Sequence, residues 1–335
     1  MIRYGAILML AASLAALPAP GEAAPPIGML TIVEGEVAVI RHAVKFAAAE
    51  GLRLQADDII HTGDNARLAR VEFAEGGALD LGPATRLVLR PRFAEPHLWR
   101  PSHLYVSQGW VKLTAGPAGK IGLSSPRFDL TNLAGVALAR VGENDSFLFI
   151  ESGTAMLIER AGGWLPRLRA LKEGEAFDRR GGDTGSVISR PAPDMLKSIP
   201  RPFVDSLPPR AQRFQDVQVE PKWPTEISYA DVSGWINAEP SLRPAFVQRW
   251  AGKARDPRFR AGLVADLRSH PEWGRVLFPN KTLARRKAPT AVAAAPPAAV
   301  GSAAVKLASW PAAEAPLALV VTRAGSMVEV AEPKP

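Results

Sequence analysis

Hydrophobic and polar residues alternate with a period of two between residues 27 and about 180. Apolar runs rich in Val, Leu, Ile and Phe are separated by Gly, Asp, Asn and Pro at intervals of about ten residues, a spacing typical of many short β-strands. The predicted strands, in chain order, are Leu30–Ile40, Ala66–Phe73, Ala78–Leu81, Arg86–Leu89, Leu104–Leu113, Arg127–Leu130, Ser146–Ile150 and Ala155–Glu159. The pattern therefore predicts a compact, mainly β body.

One short pattern with a central glycine recurs three times within this region. Gly35, Gly109 and Gly153 each follow an apolar residue by three positions and precede two apolar residues that are two positions apart. The apolar residues after each glycine lie on one face of a strand. A glycine at that place indicates a turn, a bulge or the close approach of two backbones.

The pattern changes twice after residue 180. Eight prolines between 181 and 224 predict a connector, and its apolar residues, among them Phe203 and Leu207, indicate that it runs over the β body. From 225 to about 280 the period becomes 3.6, which predicts a small α-helical module. Ser228 with Asp231 forms a capping box, and Asp256 before Pro257 caps a second helix. We expect the aromatic residues of this module to be core rather than ligand platforms.

The first 23 residues resemble a secretory signal peptide. Arg3 precedes an apolar segment from Tyr4 to Leu17, and Pro18 and small residues follow it. That segment is short of the roughly 20 residues that span a bilayer, so cleavage is favoured over an uncleaved anchor. We therefore expect a periplasmic or secreted protein with no transmembrane span after cleavage.

These boundaries divide the chain into five parts: a signal peptide at 1–23, a β domain at 24–180, a connector at 181–224, a helical module at 225–280 and a tail at 281–335. The tail is rich in Ala and Pro, and we expect it to be mostly disordered.

Positive charge is concentrated in the helical module. Between Arg243 and Lys287, twelve Lys and Arg residues against three acidic residues give a net charge of +9, while the whole chain carries +8. Such a patch attracts anionic lipid or an anionic wall polymer, and export makes nucleic acid the least favoured partner. A solvated helix face remains the alternative. The candidate interaction residues are Arg249, Lys253, Arg255, Arg258, Arg260 and Arg268.

Sequence motifs for catalysis are weak. The chain has no cysteine, which excludes disulfides, thiolate metal sites and a cysteine nucleophile. Asp183-Thr184-Gly185 copies the aspartic-protease signature, but it has no second copy and no apolar strand before it. The five histidines lack metal-ligand spacing, and His61 is interpreted as an exposed turn residue. We expect no enzyme activity, no metal and no cofactor.

Several segments between residues 34 and 174 resemble the FecR domain, named after the periplasmic part of the ferric-citrate sensor. Asp58 to Gly63 matches its Gly-Asp-x-Ile-x-Thr-Gly element, with Asp57 in place of the first glycine. Phe73 to Gly77 matches its hairpin and Leu79 to Leu81 its Leu-x-Leu strand. The resemblance implies the fold over about residues 27–180, and the helical module that follows resembles extensions of envelope FecR-type proteins of proteobacteria.

The FecR resemblance implies a non-enzymatic interaction or sensory scaffold that binds an envelope protein or an anionic envelope polymer. The sigma-factor-binding arm and transmembrane helix of the true sensors have no counterpart before the domain, so direct sigma-factor control is not carried over. The alternative is an accessory protein that binds the cell wall or a polysaccharide.

Overall fold

The computed structural model describes residues 25–93, 103–117, 121–160 and 166–279. The predicted signal peptide at 1–23 and the predicted tail at 281–335 lie outside these residues, so both stay predictions.

The protein is mainly β, as the alternation predicts. Sixteen strands of the described chain join one sheet, and nearly all their pairings are antiparallel. The strands are β1 Gly28–Glu34, β2 Val37–Arg41, β3 Val44–Ala47, β4 Arg53–Leu54, β5 Ile59–Thr62, β6 Leu68–Phe73, β7 Gly77–Leu81, β8 Arg86–Leu89, β9 Leu104–Ala115, β10 Ile121–Ser124, β11 Phe128–Val141, β12 Asp145–Glu159, β13 Arg167–Lys172, β14 Ala176–Arg180, β15 Ser186–Ile188 and β16 Lys222–Glu226.

Strand β9 belongs to both halves of the sheet. Its first part pairs with β8 and leads through β5, β2 and β3 to β16. Its second part pairs with β7 and leads through β6 and β1 to β4. The largest apolar cluster includes Val39 of the first half and Val71 of the second. The sheet therefore folds back on itself around one apolar core.

The three recurring glycines lie where the backbone needs them, as predicted. Gly35, Gly109 and Gly153 have φ angles of +97°, +103° and +79°, in the left-handed region that favours glycine. Gly35 forms the turn from β1 to β2, whereas the other two lie inside the long strands β9 and β12. A Cβ atom on Gly153 would lie 1.7 Å from the carbonyl oxygen of Ala134. Glycine is thus required by both conformation and space.

Strands of the first half carry apolar side chains on both faces. Val39 and Ile60 belong to the central core, while their neighbours Ile40 and Ile59 are equally buried on the opposite face. Successive side chains of a strand point to opposite faces, so this second face needs its own cover. The C-terminal helices supply it, because Ile40 and Ile59 share a cluster with Trp235 and other helical residues.

The helical module begins where the caps predicted. The side chain of Ser228 accepts from the Asp231 backbone N–H in a full capping box, and Asp256 accepts from the N–H groups of Arg258 and Phe259. The helices are α1 Pro193–Ser198, α2 Tyr229–Ile236, α3 Arg243–Trp250, α4 Pro257–Ala265 and α5 Gly274–Leu277.

The connector covers the outer face of the other half of the sheet. Phe203 is buried there against Ile32, Leu68 and Leu138, as expected for a segment that runs over the β body. The connector also supplies two strands that its sequence did not predict: β15 pairs with β14, and β16 pairs with β3.

The close backbone approach at Gly153 allows a direct test. Substitution Gly153→Ala adds a Cβ atom against a backbone carbonyl and should lower the free energy of unfolding by about 3 kcal/mol or more. Gly174→Ala is the matched control, because Gly174 has a φ of +82° but no atom within 4 Å of the added Cβ. It should cost only about 1–2 kcal/mol, the conformational part alone. Equal losses for both variants in urea unfolding would contradict the proposed steric role.

Candidate interaction surface

Arg249 joins the helical module to the sheet through hydrogen bonds and is not a free surface residue. Its guanidinium donates to the backbone carbonyls of Ile40 at 3.0 Å, His42 at 3.1 Å and Asp57 at 2.5 Å. It also lies over the ring of Trp250, whose own indole N–H donates to His42. Burial lowers the pKa of Arg249 to about 10, although nearby carboxylates raise it in part.

Two further candidates, Lys253 and Arg260, form contacts inside the helical module. Lys253 contacts the carboxylates of Glu226 at 2.8 Å and Asp256 at 3.4 Å. Arg260 donates to the carbonyl of Leu277 at 2.8 Å. Both side chains are therefore engaged within the protein, and neither is available as an unpaired surface charge.

The remaining three candidates, Arg255, Arg258 and Arg268, are exposed. Their side chains have no hydrogen-bond or ion-pair partner among the described residues. The structure therefore divides the six predicted residues into three that hold the module together and three that face solvent. We name the latter set the basic face.

The three acidic residues of this basic stretch are used internally. Asp256 caps α4, Asp266 accepts from the Tyr229 hydroxyl at 2.8 Å, and Glu272 lies 3.5 Å from Arg243. Within the described residues none of them forms an ion pair with an arginine of the basic face. The positive charge of the basic face is consequently left to solvent.

The prediction that His61 is an exposed turn residue is wrong. His61 belongs to β5, and its Nε2 atom accepts from the indole N–H of Trp235 at 2.8 Å. The planes of the two rings are nearly parallel, at an angle of 13°, and their centroids are 6.1 Å apart, as expected for rings joined edge to edge by this hydrogen bond. Burial, followed by the positive charges of Arg86 and Lys45, lowers the pKa of His61 to about 4. The error arose because Trp235 is 174 positions away, and nothing near His61 in sequence indicates that contact.

The polar residues of the Asp58 to Gly63 element build the fold. Asp58 is 1% exposed and accepts two hydrogen bonds from Arg41 and one from the Gln55 backbone. Thr62 donates to the carbonyl of Gly82 at 2.6 Å and accepts from the backbone of Thr85. The Asp58 contacts join this element to β2 and the Thr62 contacts join it to the β7–β8 turn, so its polar residues serve the fold.

Sequence reasoning missed a group of buried charges beneath the connector. The carboxylate of Glu72 accepts from the backbone N–H groups of Arg210 and Ala211, and Lys112 donates to the carbonyl of Phe203 at 2.7 Å. Arg70 pairs with Asp80 and also donates to the connector. Burial raises the pKa of Asp80, opposed by Arg70. These polar residues alternate with apolar residues in β6, β7 and β9, a pattern typical of an exposed sheet face, and only the path of the connector shows that they are covered.

The protease-like motif forms a surface turn. Asp183 is exposed, its backbone carbonyl accepts from Arg179, and the N–H of Gly185 donates to Glu159 at 2.6 Å. Within the described ranges no three His, Asp or Glu residues are grouped so that they could hold a metal ion. The helices of those ranges also include none with the length and apolarity needed to cross a membrane.

Comparisons with known proteins give little. No family model and no curated protein matches the chain. Two crystal structures of a candidate anti-sigma factor from Parabacteroides distasonis ATCC 8503, at 2.50 and 1.65 Å resolution, resemble it with 10% sequence identity and a TM-score of 0.30. The match covers 39% of this chain and 57% of the other, so this chain spans little more than half the length of that protein. So slight a likeness supports no inference about fold or function.

The half-buried imidazole of His61 and its lowered pKa predict a pH dependence of stability. In the unfolded chain its pKa returns to about 6.5, so between about pH 6.5 and pH 4 the unfolded state binds the extra proton. The free energy of unfolding should therefore fall over that range by up to about 3 kcal/mol from this group, with no loss above it.

His61→Gln keeps an acceptor for Trp235 but removes the titration. Urea unfolding of both proteins between about pH 7.5 and pH 4 should show the variant gaining stability relative to the native chain as the pH falls. Parallel stability curves would contradict an imidazole that stays neutral in the folded protein down to about pH 4.

Proposed function

We propose that this chain is a non-enzymatic FecR-type interaction and sensory module that acts in the periplasm of a bacterial envelope after export. The basic face of its helical module is the surface that contacts an anionic partner. The β body holds that module in place through the apolar cluster that they share.

Backbone geometry supports the FecR assignment at the position where the sequence departs from the family pattern. Asp57 replaces the glycine of the element, and it has a φ of +66°, which glycine adopts readily and most other residues avoid. Gly76, in the hairpin of the pattern, has a φ of +91°. The polar residues Asp58 and Thr62 are engaged in internal hydrogen bonds. The shared residues thus serve the fold.

The basic face is the observation that carries the interaction role. Arg255, Arg258 and Arg268 are exposed, and the acidic residues of their own stretch are engaged elsewhere. Surface cations that no intramolecular carboxylate neutralises produce a positive local potential, which attracts anionic groups and weakens with salt.

A wall- or polysaccharide-binding accessory protein is the second candidate. Trp223 favours it, because this indole is 78% exposed on β16 at the end of the sheet. An exposed indole offers a broad apolar face on which a sugar ring can pack.

Co-sedimentation with purified peptidoglycan tests the basic face. The triple variant Arg255→Glu, Arg258→Glu, Arg268→Glu should lose salt-sensitive binding to this anionic polymer. The matched control changes the exposed residues Arg67, Arg190 and Lys197 to Glu, with the same change in net charge. It should retain binding. Equal loss in both triple variants would show that net charge alone acts and would contradict a specific face.

Crosslinking in cells separates the two candidates. A photoreactive residue at position 258 should capture an envelope protein if the partner is a protein, and the capture should disappear when Arg255 and Arg268 become Glu. Peptidoglycan binding that depends on Trp223 but not on the basic face would instead favour the accessory protein.

A further inference from the structure

A charged cleft lies outside the basic face, where the turn before β5 meets α3. Its volume is about 260 Å³. The turn carries Asp57 in the left-handed conformation, which directs its carbonyl to Arg249 of the helix. The polar residues that line the cleft include Arg41, His42, Gln55, Asp57, Arg92 and Arg249.

The carboxylates of the cleft are each matched to one arginine. Asp58 forms a two-fold hydrogen bond with Arg41, at 2.9 and 2.7 Å. Asp57 lies 2.9 Å from Arg92, whose side chain is 61% exposed. These two pairs leave Arg249 as an additional positive charge.

Arg249 is bound only by neutral groups among the described residues. Its three hydrogen bonds go to backbone carbonyls, and no described carboxylate lies within ion-pair distance of it. Arg249 is partly withdrawn from water, and a cation in such a place is ordinarily paired with an anion. The cleft has three arginines and two aspartates among the described residues, so one positive charge, that of Arg249, has no anionic partner there.

We propose that this cleft binds a small oxyanion, a carboxylate or a phosphate group, between Arg249 and Arg92. A guanidinium has five N–H donors, and the carbonyls take three of those on Arg249. The side-chain amides of Gln55 and Gln248 also line the cleft and have no partner among the described residues. Two guanidinium groups with nearby amides suit the planar or tetrahedral oxygens of such an anion.

The cleft is distinct from the basic face, because the two share no residue. The cleft would bind a ligand through one terminal anionic group, whereas the basic face would bind a polymer with repeating charges. Neutralising Arg92 should lower the affinity of the cleft for an oxyanion, and neutralising Asp57 should raise it. If these residues had only a structural role, the two substitutions would not change the affinity in opposite directions.

Isothermal titration calorimetry with inorganic phosphate, at constant ionic strength and neutral pH, tests the proposal on the full chain. Arg92→Gln should weaken binding about tenfold or more, because it removes a charge-assisted donor. Asp57→Asn should tighten it severalfold, since asparagine tolerates the left-handed conformation but carries no charge. Arg67→Gln is the control, an exposed arginine paired with Glu34 at 3.8 Å, and should change nothing.

Vesicles containing phosphatidylglycerol distinguish a lipid headgroup from a free phosphate as the source of the same group. Vesicle binding lost in Arg92→Gln but retained in Arg67→Gln supports the proposal with a lipid source, and saturable binding of free phosphate with that dependence supports it with a soluble source. The proposal is overturned if neither probe binds, or if binding responds to Arg92→Gln and Asp57→Asn in the same direction.

Discussion

The second apolar face of strands β2, β5, β8 and β9 is the constraint on which the rest of the structure depends. Their alternating side chains are buried on both sides, so one side needs a cover that the β body cannot supply. Helices of eight or nine residues are too short to be stable alone in water. Sheet and helices therefore stabilise each other, through buried side chains such as Trp235 and Phe246, each worth roughly 1.5–3 kcal/mol.

Because the helices pack on the sheet, some basic residues of the module contact the strands and others face solvent. A helix that packs on a sheet presents one side to the strands, and a long cationic side chain on that side meets carbonyls at the strand ends. Arg249 is such a residue, and Trp250 beside it binds the same turn. Arg255, Arg258 and Arg268 lie on the solvent side and keep their charge available. One basic stretch thus provides both attachment and an interaction surface.

Local signals in the sequence predicted much of the fold. Strands β6 to β9 lie within two residues of their predicted bounds, because alternating apolar residues and glycine turns are local features. The caps Ser228 and Asp256 are local as well. By contrast, β16 has five exposed residues including a proline, and its pairing with β3 has no hydrophobic signature.

Long-range contacts account for what the sequence could not show. The role of Arg249 depends on carbonyls about two hundred positions away, and a backbone carbonyl has no residue type to recognise. The burial of His61 by Trp235 and the cover over Glu72 depend on tertiary contacts in the same way. The six candidate basic residues were therefore predicted as a group. Only the structure shows that three of them make internal contacts and that the other three form the basic face.

Native-state hydrogen exchange, read by mass spectrometry on the full chain, tests most directly whether sheet and helices form one cooperative unit. We expect the most protected amides of α2, α3 and α4 to open with the same free energy as those of β2 and β5, because these elements share one apolar cluster. Exchange of the helical amides through an opening of clearly lower free energy, while the strands stay protected, would contradict it.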